Sequence, residues 1–532
     1  MFHQLLTPVG DNLLLSFIVA SAPIAVVLVM LGVLRRPAWQ ASAAGLVVGL
    51  IIAVGLWKLP LVMALDSVAA GAVFALWPVM WIVVNALVLY NVAVISGRFD
   101  AFRRWVVQHL PNDRRVVLIV IGFCFGCLLE GVAGFGTPVA ITSALLIALG
   151  FSPLDALVFT LIFNTAPVAF GALGAPVTTL GAVTGLPTAT LGAMIGRQLP
   201  FIAMLLPFYV VFIYSGWRSI KALWPVILVA GGSFAIAQFV TSNLISYELT
   251  DVISALGSLI ATIAFLKVWK PKPDPEFAFV AVTPDAGEST HAAWQGWIPW
   301  LMIAGTVIVW TTLKINLLGQ IKVSWPGLDQ QVFITLYGQP YAAIWTFQPL
   351  ATGTAILVAT VITAMLVKVG FAGWIEAIKL TWKQARLAIL TVMLIVGLAY
   401  LMNYSGLAYT LGLGVSSAGV FFPLLSAFLG WLAVFLSGSD TSGNALFGNL
   451  QVVAARQLDL NPILIAATNS SGGVMGKMIS PQNISTGCAT TSLKGQEGLV
   501  LARTFKHSII LTLVLGLLVL LQQYVVPWMI PS

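Results

Sequence analysis

The chain has 532 residues, of which 59% are hydrophobic and only 8% charged, with a mean hydropathy of +1.01. Soluble globular domains carry about 25% charged residues, so this composition excludes one and indicates a polytopic helical membrane protein. The formal net charge of +8 is not a nucleic-acid signature, because the basic residues cluster in short loops between apolar runs, as cytoplasmic loops do.

A run of about 20 apolar residues crosses the hydrocarbon core as a helix. In chain order the expected spans are 13–34, 41–57, 67–95, 190–214, 224–241, 250–266, 297–313, 349–368, 386–402 and 506–529. Two more complicated regions, 116–187 and 417–492, interrupt them. The run Leu13–Leu34 is too long for a signal-peptide core and ends in Arg35-Arg36, so it reads as a retained first span. The loops carrying Arg35 and Arg36, then Arg98, Arg103, Arg104, Arg114 and Arg115, are expected inside. So are those carrying Arg218 and Lys221, then Lys379, Lys383 and Arg386, then Arg503, Lys506 and His507. Crossing parity then places both termini outside. Residues 267–296, rich in Pro and mixed charge, read as an inner linker, and the aromatic stretch 314–348 as an ordered outer cap.

The two interrupting regions resemble each other. The first reads "LLEGVAGFGTPVAI" and then "NTAPVAFGALGAP"; the second reads "FLSGSDTSGNALF" and then "NSSGGVMGKMISP". Asn164, Gly171 and Pro176 match Asn469, Gly476 and Pro481 in spacing, and Gly131 and Gly136 match Gly438 and Gly443. By loop charge one unit is entered from inside and the other from outside. That is an inverted-topology repeat, which builds midplane sites in secondary transporters. Each unit is expected to hold a re-entrant hairpin turning at 131–137 or 438–444, then a crossing helix broken at 164–176 or 469–481. Thr137-Pro138 and Ser480-Pro481 each place a hydroxyl cap before a helix-starting proline.

Broken backbone cannot face lipid, and half-helix N-termini attract carboxylates. The expected pocket is therefore anion-friendly, lined by Asn164, Thr165, Ser439, Thr441, Asn444, Asn469 and Ser470. The other reading of the glycines is close helix packing. The resulting division is 1–115 scaffold helices, 116–189 first transport repeat, 190–266 connecting helices and the 267–296 linker. Then come 297–416, scaffold helices with the 314–348 outer loop, 417–492, the second transport repeat, and 493–532, the last helix.

Intramembrane charges are rare and carry functional hypotheses. Lys477, Asp440, Glu130 and Arg197 stand out, and Lys477 matches only Ala172 in the other unit. Lys477 or Arg197 would be the partner of an anionic substrate, and Asp440 or Glu130 a proton-carrying carboxylate. A structural Lys477–Asp440 or Arg197–Glu130 pair is the competing reading, and both stay open. "GGVMGKM" is one residue short of a P-loop and lacks its Ser/Thr. Cys124 and Cys127 have no second pair or nearby His to complete a metal site. No cofactor, metal or enzymatic constellation is expected.

With "GFCFGCLLEGVAGFGTPVAIT", "NTAPVAFGALG", "GRQLPF", "VAGGSFAIAQ", "FLSGSDTSGNALF" and "GGVMGKMISPQ", the chain resembles the bacterial lactate permease family. The resemblance runs nearly end to end and weakens at 267–296 and 314–348. It implies a permease of the cytoplasmic membrane that takes up L-lactate with protons, with D-lactate and glycolate as related substrates. A sodium-coupled carboxylate symporter of similar architecture is the alternative. Paired hairpins with Ser, Asn and Thr tips are also similar to elevator-type anion symporters, by analogy of fold only. That analogy implies an all-α transporter whose two repeats slide against a scaffold, with a homodimer formed through the scaffold. Expected partners are thus a lactate- or glycolate-type anion, H+ and the lipid bilayer, with no nucleic acid.

Overall fold

The computed structural model describes residues 1–34, 36–132, 137–278, 292–489, 491–493 and 496–531. Among these, nine helical stretches are long and apolar enough to cross a membrane, or ten if a bent pair is counted as one span. The apolar helices divide by burial. Only 28% of residues are buried in the apolar window of Leu13–Leu31 and 39% in Ala38–Gly55, whereas Arg114–Val132 is 100% buried. Helices that are apolar on all sides belong in a protein core or in lipid. The first two therefore face the hydrocarbon, and the third forms the centre of the molecule.

Two expected spans fuse into the 42-residue helical stretch Leu199–Val240, which reverses at Gly216 with φ 72°. Its two arms pack closely: a Cβ on Gly231 would lie 2.5 Å from the Met204 carbonyl oxygen. Small residues allow such backbone contact, which supplies van der Waals packing where lipid removes the hydrophobic driving force between helices.

The two ends of the bundle differ in chemistry. At one end, strand Phe2–His3 pairs in parallel with Val332–Phe333. Beside it, Ile321–Ser324 pairs antiparallel with Ile344–Phe347. The fold is thus mostly helical rather than all-α. Residues 321–347 alternate polar with aromatic and β-branched side chains, and outside hydrocarbon such segments can pair as short ribbons. At the other end, Arg115 makes a bidentate contact to Asp113, at 3.0 and 2.7 Å, and is itself buried. Asp274 lies 3.6 Å from Arg115 and 3.5 Å from Arg218, and the Arg115 guanidinium stacks over Phe277. Three loops assigned to one side by their charge therefore meet there. The first part of the expected linker is pinned by ion pairs, while residues 279–291 lie outside the described ones.

Two helical hairpins enter the core. The first runs through Arg114–Val132 and returns as Thr137–Ala148. The expected Gly136 turn lies outside the described residues, as does the Thr137 side chain. The second runs from Phe422–Ser437 through left-handed Gly438 (φ 71°) into Asp440–Gln457. The crossing helices that follow are unlike each other. Pro153–Phe163 and Val168–Thr184 are bent by 64°, but Pro462–Lys477 is one unbroken helix that ends just before Pro481–Ala489.

The break expected over 469–481 is narrowed to 478–480, between Lys477 and Pro481. Asn469, Ser470 and Gly476 are helical, and the glycines serve packing. A Cβ on Gly472 or Gly476 would lie 2.2 Å from the carbonyl oxygen of Ala427 or Trp431 on the neighbouring arm. Gly443 and Gly131 also sit inside helices rather than at breaks. They press on Val434 and Asp251. Gly438 and Gly171 do lie at interruptions, Pro481 begins a helix, and Pro176 is interior to Gly171–Thr184. The expected hydroxyl cap at Ser480 does not form, and its buried Oγ has no hydrogen-bond partner among the described residues.

Candidate functional site

Lys477 is the last residue of Pro462–Lys477, where the helix dipole favours a cation. Its Nζ lies 2.6 Å from Glu130 Oε1, with the two side chains only 7% and 3% exposed. Glu130 Oε2 accepts a 2.9 Å hydrogen bond from Asn164 Nδ2. Asn164 caps Pro153–Phe163, immediately before the bend. The buried ion pair therefore joins the first hairpin to the second crossing helix. Neither pairing expected from the sequence forms. Arg197 instead donates to Asn243 Oδ1 at 2.7 Å and to the Met529 carbonyl at 2.9 Å. It ties the C-terminal segment to the turn after Thr188–Ile195 and does not enter the site.

Asp440 opens the helix Asp440–Gln457, capped by Ser439. Its Oδ2 accepts from Ser470 Oγ at 2.5 Å and from Asn444 Nδ2 at 3.3 Å. Asn444 also donates to the Pro176 carbonyl at 3.2 Å. Asn469 donates to Asn444 Oδ1 at 2.9 Å and accepts from Gln451 at 2.6 Å. These amides are committed to one another, so they fasten the second hairpin to its crossing helix and to the first unit. Thr165 is also spent locally, donating to the Ile162 carbonyl at 2.7 Å.

Where the two units meet, a small cavity of about 30 Å³ is bordered by Glu130, Ala172, Ser439, Asp440, Thr441 and Lys477. A cavity needs about 10–15 Å³ on this measure to hold a water, so this site has room for at most a couple of them. Gly171 also borders it, and a Cβ there would lie 2.9 Å from Glu130 Oε1. The backbone beside it is strained: Ala172, Leu173 and Gly174 have φ of 46°, 55° and 78°. Left-handed backbone costs a non-glycine residue about 1–2 kcal/mol, and strain of this kind concentrates at functional sites. A second cavity, about 570 Å³, opens beneath the β ribbons and is bordered by Thr178, Tyr247, Glu248, Tyr341 and Asn403. Thr178 borders this vestibule and Pro176 borders the small site, and the two residues lie about 3 Å apart in rise on one helix.

The chain matches the family model described as L-lactate permease over residues 16–526. It belongs to the L-lactate permease family. It is 43% identical to the glycolate permease GlcA of Escherichia coli, across 99% of both chains. It is 41% identical to the L-lactate permease of Salmonella typhimurium, across 100% of both. Among solved structures it is similar to Neisseria gonorrhoeae MtrF, described within a class of antimetabolite efflux pumps. The TM-score there is 0.50 over 94% of this chain and 97% of that one, and at 12% identity the likeness is one of fold alone. The permease is a multi-pass membrane transporter and not an enzyme.

The geometry of this permease also brings in residues that sequence reasoning passed over. Gln198 is fully buried and bridges Thr468 and Ser471, at 2.9 and 2.7 Å. Asp251 is fully buried beside Gly131, and neither carboxylate oxygen has a hydrogen-bond partner among the described residues. Its signal was present in the sequence: it is a lone carboxylate within the expected span 250–266.

Proposed function

We propose that this permease takes up small 2-hydroxy monocarboxylates, L-lactate together with D-lactate and glycolate, by proton symport across a bacterial cytoplasmic membrane. Family membership and the names of the full-length relatives support the substrate class. The single observation that carries the mechanism is the buried Lys477–Glu130 pair. While Glu130 is ionised, Lys477 is neutralised and offers nothing to a substrate anion. Protonation of Glu130 frees the ammonium, and the substrate carboxylate takes the vacated place. Its hydroxyl then meets Ser439 or Thr441, which border the same cavity. The net charge of the cluster is the same before and after, since one proton and one anion enter together. An uncompensated charge in a low-dielectric interior costs several kcal/mol, so proton and anion cross more cheaply as a pair. This shifts the coupling role from Asp440 to Glu130, because Glu130 and not Asp440 is the carboxylate in contact with Lys477.

We read 116–189 and 417–492 as inverted transport repeats that carry the site past the scaffold helices of 1–115 and 297–416 in an elevator motion, within a homodimer. The meeting of both hairpins at one small cavity supports that reading. With the β-ribbon end outside, the pinned basic loops face the cytoplasm and the vestibule faces substrate.

Proteoliposomes loaded against imposed pH and Na+ gradients test the scheme. An acid-outside gradient should drive accumulation of lactate and glycolate without Na+. Glu130→Gln should keep substrate counterflow yet accumulate at least tenfold less. Uptake driven by a Na+ gradient alone would replace the proton with sodium as the coupling ion.

A further inference from the structure

We propose that Asp251 is a proton-binding site of the transport cycle, lying between the vestibule beneath the β ribbons and the Glu130–Lys477 pair. The inference rests on the proton-symport reading above. Asp251 is 0% exposed, and both of its carboxylate oxygens lack a hydrogen-bond donor among the described residues. Native proteins seldom leave a buried polar group unsatisfied, and one that persists calls for an explanation. A helix-start role does not supply it. Asp251 lies in the first turn of Thr250–Val268, yet neither oxygen takes a backbone N–H.

Its neighbours place it on a route. Asp251 Cβ sits so close to Gly131 that a methyl group there would lie 2.7 Å from it. Gly131 follows Glu130 directly, and Glu130 is the carboxylate that pairs with Lys477. In the other direction, Glu248 comes three residues earlier and borders the 570 Å³ vestibule, where it accepts from Thr352 Oγ1 at 3.0 Å. Glu248 lies in the short 3-10 turn Tyr247–Leu249 that leads straight into the helix of Asp251, so three residues amount to about 5–6 Å of rise. The remaining titratable groups on elements packed against this helix are few. Cys124 and Cys127 lie on the hairpin arm, Tyr247 lies beside Glu248, and Tyr209 and Tyr214 lie on Leu199–Val240. Gly171–Thr184 and Ile298–Thr312 contribute none, and Arg218 and Lys221 lie at the far end of the arm that packs here.

The proton passes from vestibule water to Glu248, from Glu248 to Asp251, and from Asp251 to Glu130. Each step moves one proton, the first from water and the next two between carboxylates, and consumes nothing else. The last step opens the Lys477–Glu130 pair to the substrate anion, so Asp251 sets the order in which proton and anion bind.

The test compares wild type, Asp251→Asn and Asp251→Glu in proteoliposomes, reading lactate counterflow, accumulation driven by a pH gradient, and lactate-dependent proton entry from an internal pH dye. The expected result is that Asp251→Asn keeps counterflow within about threefold of wild type while proton entry and accumulation fall at least tenfold. Asp251→Glu should recover accumulation with an altered pH profile. If Asp251→Asn accumulates lactate and admits protons like wild type, the assignment is wrong and the symport reading stands. If both variants reach the membrane in normal amount but lose counterflow, Asp251 serves substrate or architecture instead, and the assignment is again overturned. If wild type itself moves lactate without protons, the symport reading fails and takes this proposal with it.

Discussion

The two hairpin-and-helix units share the spacing of Asn, Gly and Pro, yet they solve the crossing helix differently. In the first unit the chain bends by 64° after Phe163 and passes through three left-handed residues, Ala172 to Gly174. In the second unit the helix continues through Asn469 and Gly476 to Lys477. Ala172 and Lys477, equivalent by spacing, therefore arrive at the same cavity in different ways. One comes on strained backbone with almost no side chain, the other at the end of a rigid helix with a long cationic one. A local sequence pattern specifies where a helix can be interrupted, and the neighbouring arm decides whether it is. In the second unit the arm Phe422–Ser437 lies against Gly472 and Gly476 along the helix, and the interruption comes only beyond them, at 478–480.

Removing the feature that only the second unit has should produce the largest effect. Lys477→Ala leaves Glu130 buried without its cation, a loss that costs about 3–5 kcal/mol when one partner of a buried pair is deleted. We expect a lower thermal midpoint and lactate uptake reduced at least 100-fold at equal membrane abundance. Adding Glu130→Gln to the same chain should recover most of the midpoint and none of the uptake. Thermal unfolding in detergent, read beside radiolabelled uptake, separates the two losses. A Lys477→Ala protein that transports normally would mean that the asymmetry between the units is only one of packing.

Matched glycines should then separate the two roles by smaller amounts. At Gly476 an added methyl meets the Trp431 carbonyl at 2.2 Å, a backbone atom that cannot swing away. Gly476→Ala should destabilise by about 1–3 kcal/mol, the usual range for overpacking, and lower the midpoint in proportion. At Gly171 the methyl meets Glu130 Oε1 at 2.9 Å, the end of a side chain that can shift. Gly171→Ala should leave the midpoint within a degree or two and change the pH dependence of uptake, because it presses on the ion pair. If both variants only lose stability, the first unit's glycine has no tie to the site.

These contrasts also show what the sequence made legible. Apolar runs and loop charge placed the core spans, and the basic loops do gather at one end through Arg115, Arg218 and Asp274. Tertiary contact was not legible. Glu130 and Lys477 are 347 residues apart, and nothing local distinguishes Glu130 from Asp440 as the partner of a lysine. Gly476 has the same sequence surroundings as a hinge glycine, and only the Trp431 carbonyl on another helix makes it a packing glycine. Arg197 reads as an intramembrane charge until the turn at Gly196 and the Met529 carbonyl give it a structural partner. Asp251 was legible from its span, but its lack of a donor among the described residues was not.

The smallest effect should come from easing the first unit's backbone. Ala172 holds φ at 46° inside a buried segment, where an L-residue pays about 1–2 kcal/mol that glycine does not. Ala172→Gly gives up one methyl group and the restraint that alanine places on the unfolded chain, worth about 0.4–1 kcal/mol. Relief of the strain outweighs that loss, so the midpoint should rise slightly or hold, by no more than about 1 kcal/mol of stability. The informative readout is transport. If the left-handed stretch only connects two helices, Ala172→Gly should leave uptake unchanged. If the strain keeps Gly171 pressed toward Glu130, relaxing it should loosen the ion pair, and proton-driven uptake should reach half its maximum at a different pH while counterflow is unaffected. Measuring both across pH 5 to 8 decides whether the first unit's broken helix is scaffolding or part of the switch that the second unit's lysine completes.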